Sequence, residues 1–261
     1  MSTPHTLFQV EASTATLTFN RPGARNAMTW AMYDALVEAC DRADGDDRIR
    51  VLVLKGAGGQ AFASGTDISQ FTALATRDDV LAYERRLDGV FDRLERVTKP
   101  TIAQVRGAAT GGGCVIALAC DFRVCTPDAR FGVPIARTLG NCLSTANCAR
   151  LVDLIGPART KDLLITGRLV EAEEAAALGL ATRVVAGSVI DAEVRALADQ
   201  VAANAPLTVG ASKETVRRIQ EARRLHAPPA DDLVAACYLS DDFREGVAAF
   251  LAKRAPHFTG H

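Results

Sequence analysis

Three glycines in a row, Gly111-Gly112-Gly113, stand directly before the apolar run 114–120 and shortly after a strand-like run, Thr101–Val105. The apolar run predicts a buried helix. Glycines at its start leave backbone N–H groups unobstructed at the positive end of the helix dipole. Such N–H groups can hold an anion or stabilise a developing oxyanion. Taken alone, the triplet also fits a tight loop in which only small residues pack.

A second glycine-bearing turn occurs in the segment AFASGTDI at 61–68. It follows the buried-strand pattern VLVL at 51–54 and a turn at 56–59. Each of the two glycine turns therefore comes after a strand. Together they could direct backbone N–H donors at one point from two directions.

With NRPGARNAM at 20–28, these segments resemble the crotonase superfamily, typified by enoyl-CoA hydratases and isomerases. The resemblance continues through KPTIAQVRGAATGGGCVIALACDFRV at 99–124, ARFG at 129–132 and DDFREGVAAFLAKRAPHF at 241–258. It implies an α/β fold, the crotonase spiral of β-β-α turns. Residues 1–195 would form the spiral core with the acyl-CoA site, and residues 196–261 a C-terminal helical region used in oligomerisation.

The resemblance also implies a site for chemistry on thioesters. In the family, two backbone N–H groups hold the thioester carbonyl of an acyl-CoA and stabilise the enolate formed from it. Their positions in this sequence are Thr66 and Gly112. One preorganised donor at such an oxygen lowers the reaction barrier by roughly 3–4 kcal/mol.

Coenzyme A is expected along the segments 25–28 and 62–68, with its phosphates near Arg25 and Lys253. An ordinary surface role for Arg25 is the alternative. The expected acyl-CoA ligand residues are Arg25, Ala27, Phe62, Ala63, Gly65, Asp67, Ile68, Gly111, Val115, Ile135 and Lys253. The resemblance further implies a homotrimer or a dimer of trimers.

The sequence departs from the family's hydratases at both of their acid–base residues. Hydratases carry one glutamate two residues after the glycine triplet and another after an FG-x-P turn, where this chain has Val115 and Ile135. Neither aliphatic side chain can accept or donate a proton. We therefore expect isomerase, decarboxylase or lyase chemistry rather than ordinary hydration. A non-catalytic acyl-CoA binding protein and a weak hydratase that uses another carboxylate are the alternatives.

Polar side chains between residues 135 and 144 are candidates for the missing catalytic groups. They are Arg137, Thr138, Asn141, Cys142 and Ser144. Asn141 or Ser144 could instead cap the helix that follows, and Arg137 could pair with an acidic residue across a subunit contact. Cys142 fits a packing residue better than a nucleophile, because no histidine lies near it in the sequence.

The hydrophobic pattern predicts strands that alternate with helices, which indicates an α/β architecture. Strands are expected at 15–20, 51–54, 101–105, 121–125 and 182–185. Helices are expected at 29–40, begun by Thr29, at 80–94, and three or four times between 192 and 255. Glu84 is expected to be an exposed charge on the helix 80–94, with a place at the cleft as the alternative.

The composition excludes several kinds of protein. A formal net charge of −1 argues against a nucleic-acid partner, which would require a basic stripe. No apolar stretch approaches the roughly 20 residues of a membrane-spanning helix. The N-terminal residues show neither the basic nor the apolar region of a signal peptide. We expect a cytoplasmic protein that binds neither nucleic acid nor membrane.

Cysteine and histidine usage predicts neither disulfides nor a metal site. The seven cysteines lack C-x-x-C spacing and are expected to be reduced core thiols. The four histidines are at positions 5, 226, 257 and 261, and all but His226 lie close to a terminus. The segment GAGGQA at 56–61 fits a dinucleotide-binding turn, but no helical pattern begins there. No cofactor is expected beyond the coenzyme A that the substrate carries.

Overall fold

The computed structural model describes residues 4–224 and 229–260. His226 and His261 lie outside these residues. Within them the strands are β1 (Thr6–Glu11), β2 (Thr14–Phe19), β3 (Val51–Gly56), β4 (Ala61–Ala63), β5 (Thr101–Val105), β6 (Ala108–Thr110), β7 (Phe122–Cys125), β8 (Arg130–Gly132), β9 (Val170–Glu171) and β10 (Arg183–Val184). The helices are α1 (Trp30–Gly45), α2 (Arg77–Glu95), α3 (Gly112–Ala119), α4 (Ile135–Thr138), α5 (Thr145–Thr166), α6 (Ala172–Leu178), α7 (Ile190–Ala202), α8 (Pro206–Arg224), α9 (Asp231–Tyr238) and α10 (Asp241–Leu251). Two 3₁₀ helices span Pro22–Ala24 and Ile68–Ala73.

The strands form two sheets, one with the order β1-β2-β3-β5-β7-β10 and one with the order β4-β6-β8-β9. Each of three successive units contributes one strand to each sheet and then continues into a helical segment. The units are β3-β4-α2, β5-β6-α3 and β7-β8-α4-α5. Strands of successive units pair in parallel because every unit advances in the same direction. The predicted α/β spiral of β-β-α turns is confirmed.

The burial of β3 on both faces explains why its sequence is continuously apolar. Leu52 and Leu54 face the main hydrophobic core, whereas Val51 and Val53 face a second core beneath α7. A strand buried on both faces reads as a continuous apolar run. α7 spans Ile190–Ala202, so the predicted division between residues 195 and 196 would cut through one helix. The packing of α7 on this sheet places the helix with the spiral core.

Side-chain hydrogen bonds cap the starts of α1 and α2. The Thr29 side chain accepts a hydrogen bond from the Met32 N–H and begins α1, as the sequence predicts. Thr76 and Asp79 form a capping box at the start of α2. Four helices, α7 to α10, follow residue 189 and match the predicted three or four. None of the helices in residues 4–224 and 229–260 is long and apolar enough to cross a bilayer.

Backbone contact between neighbouring units makes Gly113 sensitive to substitution. A Cβ at this position would lie within 3.0 Å of the Ala63 carbonyl oxygen. Gly113→Ala is therefore expected to lower the free energy of unfolding by about 1–3 kcal/mol, as overpacking does. Gly89, exposed in α2 with no atom within 4 Å of an added Cβ, supplies the control. Gly89→Ala should raise stability by about 1 kcal/mol. Equal urea midpoints for the two variants would contradict this packing argument.

Candidate active site

Two glycine turns meet at the start of α3. Gly65 (φ 95°) and Gly111 (φ 54°) adopt the left-handed backbone conformations that glycine favours. A Cβ added to Gly111 would lie 3.4 Å from the Gly65 Cα, and one added to Gly65 would lie 3.8 Å from the Gly112 nitrogen. The backbones therefore approach each other with no side chain between them.

The Thr66 and Gly112 N–H groups are brought together at this meeting point. Met28 pairs with Thr66 in a parallel bridge in which the Met28 N–H donates to the Gly65 carbonyl (2.8 Å) and the Asp67 N–H donates to the Met28 carbonyl (2.9 Å). Because the flanking residues make these bonds, the Thr66 N–H points away from Met28. Gly112 is the first residue of α3, so its N–H has no acceptor within the helix. A Cβ at Gly112 would lie 3.8 Å from the Thr66 nitrogen.

Two tyrosines that the sequence analysis missed stand beside this pair. The Tyr33 and Thr66 hydroxyls share a hydrogen bond of 2.8 Å, and Tyr33 Oη lies 2.6 Å from where a Cβ of Gly112 would be. The Tyr83 ring lies 5.4 Å from the Trp30 ring, which in turn lies 5.7 Å from the Tyr33 ring. Burial raises the pKa of both phenols well above the ordinary value, so both remain protonated and able to donate. The helical pattern marks Tyr33 and Tyr83 only as core residues.

The two predicted coenzyme A segments lie side by side. The Ser64 N–H donates to the Arg25 carbonyl (3.1 Å), next to the Met28–Thr66 bridge. Arg21 ties the segments together because its Nη1 bonds the Ala27 carbonyl (2.6 Å) and the Asp67 carboxylate (3.0 Å). Arg25 itself is exposed.

The other predicted ligand residues occupy several environments. Phe62 and Ala63 have fully buried side chains, and the Phe62 ring packs edge-on against Phe19 at 5.4 Å. Neither residue exposes surface to a ligand in this structure. Ile68 is half-buried in the 3₁₀ helix against which α10 packs, and Lys253 is exposed just beyond α10.

Val115 and Ile135 are the residues at which the resemblance to crotonases implies the hydratase glutamates. Val115 is buried in the first turn of α3, four residues after Gly111, whose carbonyl accepts the Val115 N–H (3.1 Å). Ile135 is half-buried at the start of α4 and packs against the main core. Neither position supplies an acid or a base.

The polar candidates between residues 135 and 144 lie in different environments and make different contacts. Ser144 accepts the Asn147 N–H and so caps α5, and its hydroxyl donates to Asp88 Oδ1 (2.8 Å). The capping interpretation is thus confirmed for Ser144. Asn141 instead donates from Nδ2 to Tyr238 Oη (2.8 Å). Arg137 is exposed on α4.

Glu84 is buried, and the prediction of an exposed helix charge is wrong. Only 7% of the residue is exposed, and the Tyr238 hydroxyl donates to its Oε1. Burial raises the pKa of Glu84 from 4.5 to about 7, against the lowering effect of the Tyr238 hydrogen bond and with a further increase from the charge of Asp88. The partner Tyr238 lies 154 residues further along the chain, so no local pattern shows the burial.

The described residues contain no cluster of three or more His, Cys, Asp and Glu side chains suited to a metal ion. The GAGGQA segment forms a turn between β3 and β4, with positive φ at Gly58 and Gly59, and a strand rather than a helix follows it. The strand-to-helix turn that would hold a dinucleotide pyrophosphate is not formed there.

Comparison with known proteins places the chain in a family. Residues 9–261 match the enoyl-CoA hydratase/isomerase family. The chain is 32% identical to a short-chain-enoyl-CoA hydratase of Clostridium acetobutylicum over 97% of both chains, and 36% identical to an enoyl-CoA hydratase of Mycobacterium tuberculosis over 98% of this chain and 97% of that protein. A solved methylmalonyl-CoA decarboxylase matches all of both chains with a TM-score of 0.89 and 25% identity. The chain therefore belongs to the enoyl-CoA hydratase/isomerase family, which confirms the resemblance to crotonases.

Burial of Glu84 predicts a pH-dependent stability. Because its pKa is higher in the folded protein than in the unfolded chain, the folded state binds more protons between about pH 4.5 and 7. The free energy of unfolding should therefore fall as pH rises through this window. Glu84→Gln, neutral at every pH, should remove that part of the slope in urea titrations. Glu38→Gln, at an exposed position of α1, should retain it. Parallel pH profiles for wild type and Glu84→Gln would contradict the buried carboxyl.

Proposed function

We propose that the protein is a cytoplasmic acyl-CoA enzyme that stabilises a thioester enolate with the backbone N–H groups of Thr66 and Gly112. The convergence of the two glycine turns carries this proposal. An enolate concentrates charge on one oxygen, and two fixed donors stabilise it more than the neutral carbonyl. Backbone N–H groups then supply the electrostatic stabilisation of the enolate. No cofactor is needed beyond the coenzyme A of the substrate.

The reaction we propose is double-bond isomerisation, decarboxylation or a lyase step. Val115 and Ile135 support it over hydration through two glutamates, because neither side chain can activate water. The relatives named as enoyl-CoA hydratases support a reaction on an acyl-CoA. The solved structure of similar fold that is named a methylmalonyl-CoA decarboxylase supports decarboxylation as one such reaction. The two aliphatic side chains favour an acyl group that is apolar near the reacting carbons.

The same two replacements favour a second candidate, a protein that binds acyl-CoA without turning it over. The two candidates differ in deuterated water. The test uses a panel of crotonyl-, enoyl- and malonyl-type CoA thioesters. The enzyme should convert at least one of them, or exchange the protons on the carbon beside its thioester for deuterium. Mass spectrometry measures both conversion and exchange. Measurable binding without exchange or conversion would support the binding protein. Solvent oxygen in the product of crotonyl-CoA would instead identify a hydratase that uses another route.

We further propose that the subunits assemble as a trimer or a dimer of trimers through the C-terminal helices. α8 has no buried residue in a single subunit. Its apolar residues Leu207, Val216 and Ile219 are 87%, 56% and 51% exposed. Apolar side chains as exposed as these gain free energy when another subunit covers them.

Proline at position 112 tests the role of the backbone donor directly. Gly112→Pro removes the N–H at the first helical position, where proline is tolerated. Gly112→Ala is the matched control because it adds the same Cβ beside Tyr33 but keeps the N–H. Gly112→Pro is expected to exchange or convert the substrate about 10²–10³-fold more slowly than Gly112→Ala. Equal rates for the two variants would exclude this N–H from the oxyanion site.

Replacement of Arg25 tests the proposed coenzyme A segment. The exposed guanidinium can make charge-assisted hydrogen bonds to a phosphate of the ligand. Arg25→Ala should therefore weaken coenzyme A binding about tenfold in calorimetric titrations. Arg195→Ala, on the exposed side of α7 with 72% side-chain exposure, should leave the affinity unchanged. An unchanged affinity for Arg25→Ala would remove this residue from the site.

A further inference from the structure

Glu84 differs from the other carboxylates that the structure describes. Among residues 4–224 and 229–260 it is the one acidic residue in the buried set, at 7% exposure. Glu95 shows the usual arrangement, since its partly buried carboxylate binds Arg150 (2.9 Å) and Arg224 (2.9 Å). No such cation pairs with Glu84 within the described residues, and its hydrogen-bond donor is a neutral phenol. A buried carboxylate without a cation destabilises a fold and is found where a reaction needs it.

The hydrogen-bond network around Glu84 fixes where its exchangeable proton can lie. With the Asn141 amide oriented as in the structure, Nδ2 donates to Tyr238 Oη (2.8 Å). Tyr238 therefore uses its own hydrogen to donate to Glu84 Oε1. Oε1 is thereby occupied as an acceptor, which leaves Oε2 to bind and release a proton.

The network lies beside the proposed oxyanion site. Glu84 follows Tyr83 in α2, and the Trp30 ring packs against the rings of both Tyr83 and Tyr33. The Tyr83 and Tyr238 rings lie 6.1 Å apart. The negative charge of Glu84 also contributes to the raised pKa of Tyr33, whose hydroxyl lies against Gly112. Glu84 is thus linked to the tyrosines beside the two backbone donors through Tyr238, which binds its carboxyl and lies next to the Tyr83 ring.

A cavity lined by Glu84 gives its proton a route out of the core. The cavity has a volume of about 250 Å³ and is bounded by α2, the start of α5 and the start of α9. Its lining includes Glu84, Asp88 and Ser144. A carboxyl that borders a cavity and is held by a phenol can return to its starting protonation state after each turnover.

We propose that Glu84 is the acid–base residue of this enzyme, and that Tyr238 and Asn141 position it. This inference rests on the proposed enolate chemistry. The Glu84 carboxylate removes a proton from the carbon beside the thioester or from its vinylogous position. The electron pair of the broken C–H bond moves into the enolate, whose charge lies on the oxygen held by Thr66 and Gly112. The Glu84 carboxylic acid then returns the proton to either end of the conjugated system, so atoms and charge balance.

Several charged or titratable groups set the pH at which Glu84 becomes a base. They come from α1, α2, α5 and the loop before it, α8 and α9, and are Tyr33, Tyr83, Arg85, Asp88, Cys142, Cys148, Arg224, Asp231 and Tyr238. Arg224 is engaged by Glu95 and Asp153, and Arg85 is exposed. The dominant influences are therefore burial, the charge of Asp88 and the Tyr238 hydrogen bond, of which only the last lowers the pKa of Glu84.

The test measures deuterium exchange into acyl-CoA thioesters as a function of pH. Glu84→Gln should lower kcat for exchange at least about 100-fold with KM within a factor of about two, since general-base catalysis contributes about 10²–10⁴-fold. Tyr238→Phe should remain active with its acidic limb shifted to higher pH, because the lost hydrogen bond had lowered the pKa of the base. Asp78→Asn, an exposed carboxylate on the same helix, should behave as wild type.

Each outcome separates this inference from the function on which it rests. Exchange by Glu84→Gln at the wild-type rate, together with an inactive Gly112→Pro, would preserve the enolate chemistry and overturn the role of Glu84. An unshifted pH profile for Tyr238→Phe would remove Tyr238 as a positioning residue. Absence of exchange by the wild-type protein, despite measurable binding of the thioesters, would overturn the proposed function and the role of Glu84 with it.

Discussion

The close approach of backbone to backbone at the two glycine turns is the constraint on which the rest of the structure depends. Gly65 and Gly111 pack against each other with no side chain between them, and Gly113 packs against the carbonyl of Ala63. Neighbouring units of the spiral can therefore stack closely enough for α3 to begin beside the turn of the preceding unit. The N–H groups of Thr66 and Gly112 are held by this stacking rather than by flexible side chains. Such rigidity is what electrostatic stabilisation of a transition state requires.

The proposed chemistry depends on the polar groups in the core near these donors, because Val115 and Ile135 carry no acid or base. Val115 is buried at the start of α3 and Ile135 is half-buried at the start of α4, whereas Tyr33, Tyr83 and Glu84 are buried groups that carry exchangeable protons. In such a poorly solvated environment each hydrogen bond is stronger and each unpaired charge is more costly. A carboxyl held there by a single phenol is therefore poised between its two protonation states.

The alternation of strands and helices could be predicted from the sequence because that information is local, whereas the spiral and the Thr66 and Gly112 donors were predicted from the resemblance to crotonases. The glycines, the continuous apolar strand 51–54 and the caps at Thr29 and Ser144 each act within a few residues. The strands of the second sheet escaped prediction because they are two or three residues long and show no period. The Tyr33 and Glu84 contacts escaped because their partners are 33 and 154 residues away. Helical spacing marks both residues as members of α1 and α2 but says nothing about those partners.

The separation between Glu84 and Tyr238 also bears on how the protein is made. Ribosomes add about 5–20 residues per second, so roughly 8–30 s pass between the synthesis of Glu84 and that of its partner 154 residues later. During that interval α2 has no phenol to receive its carboxylate, which remains ionised and hydrated. The contact between Tyr238 and Glu84 can therefore form only after α9 has been synthesised, so this part of the core is completed late in the making of the chain.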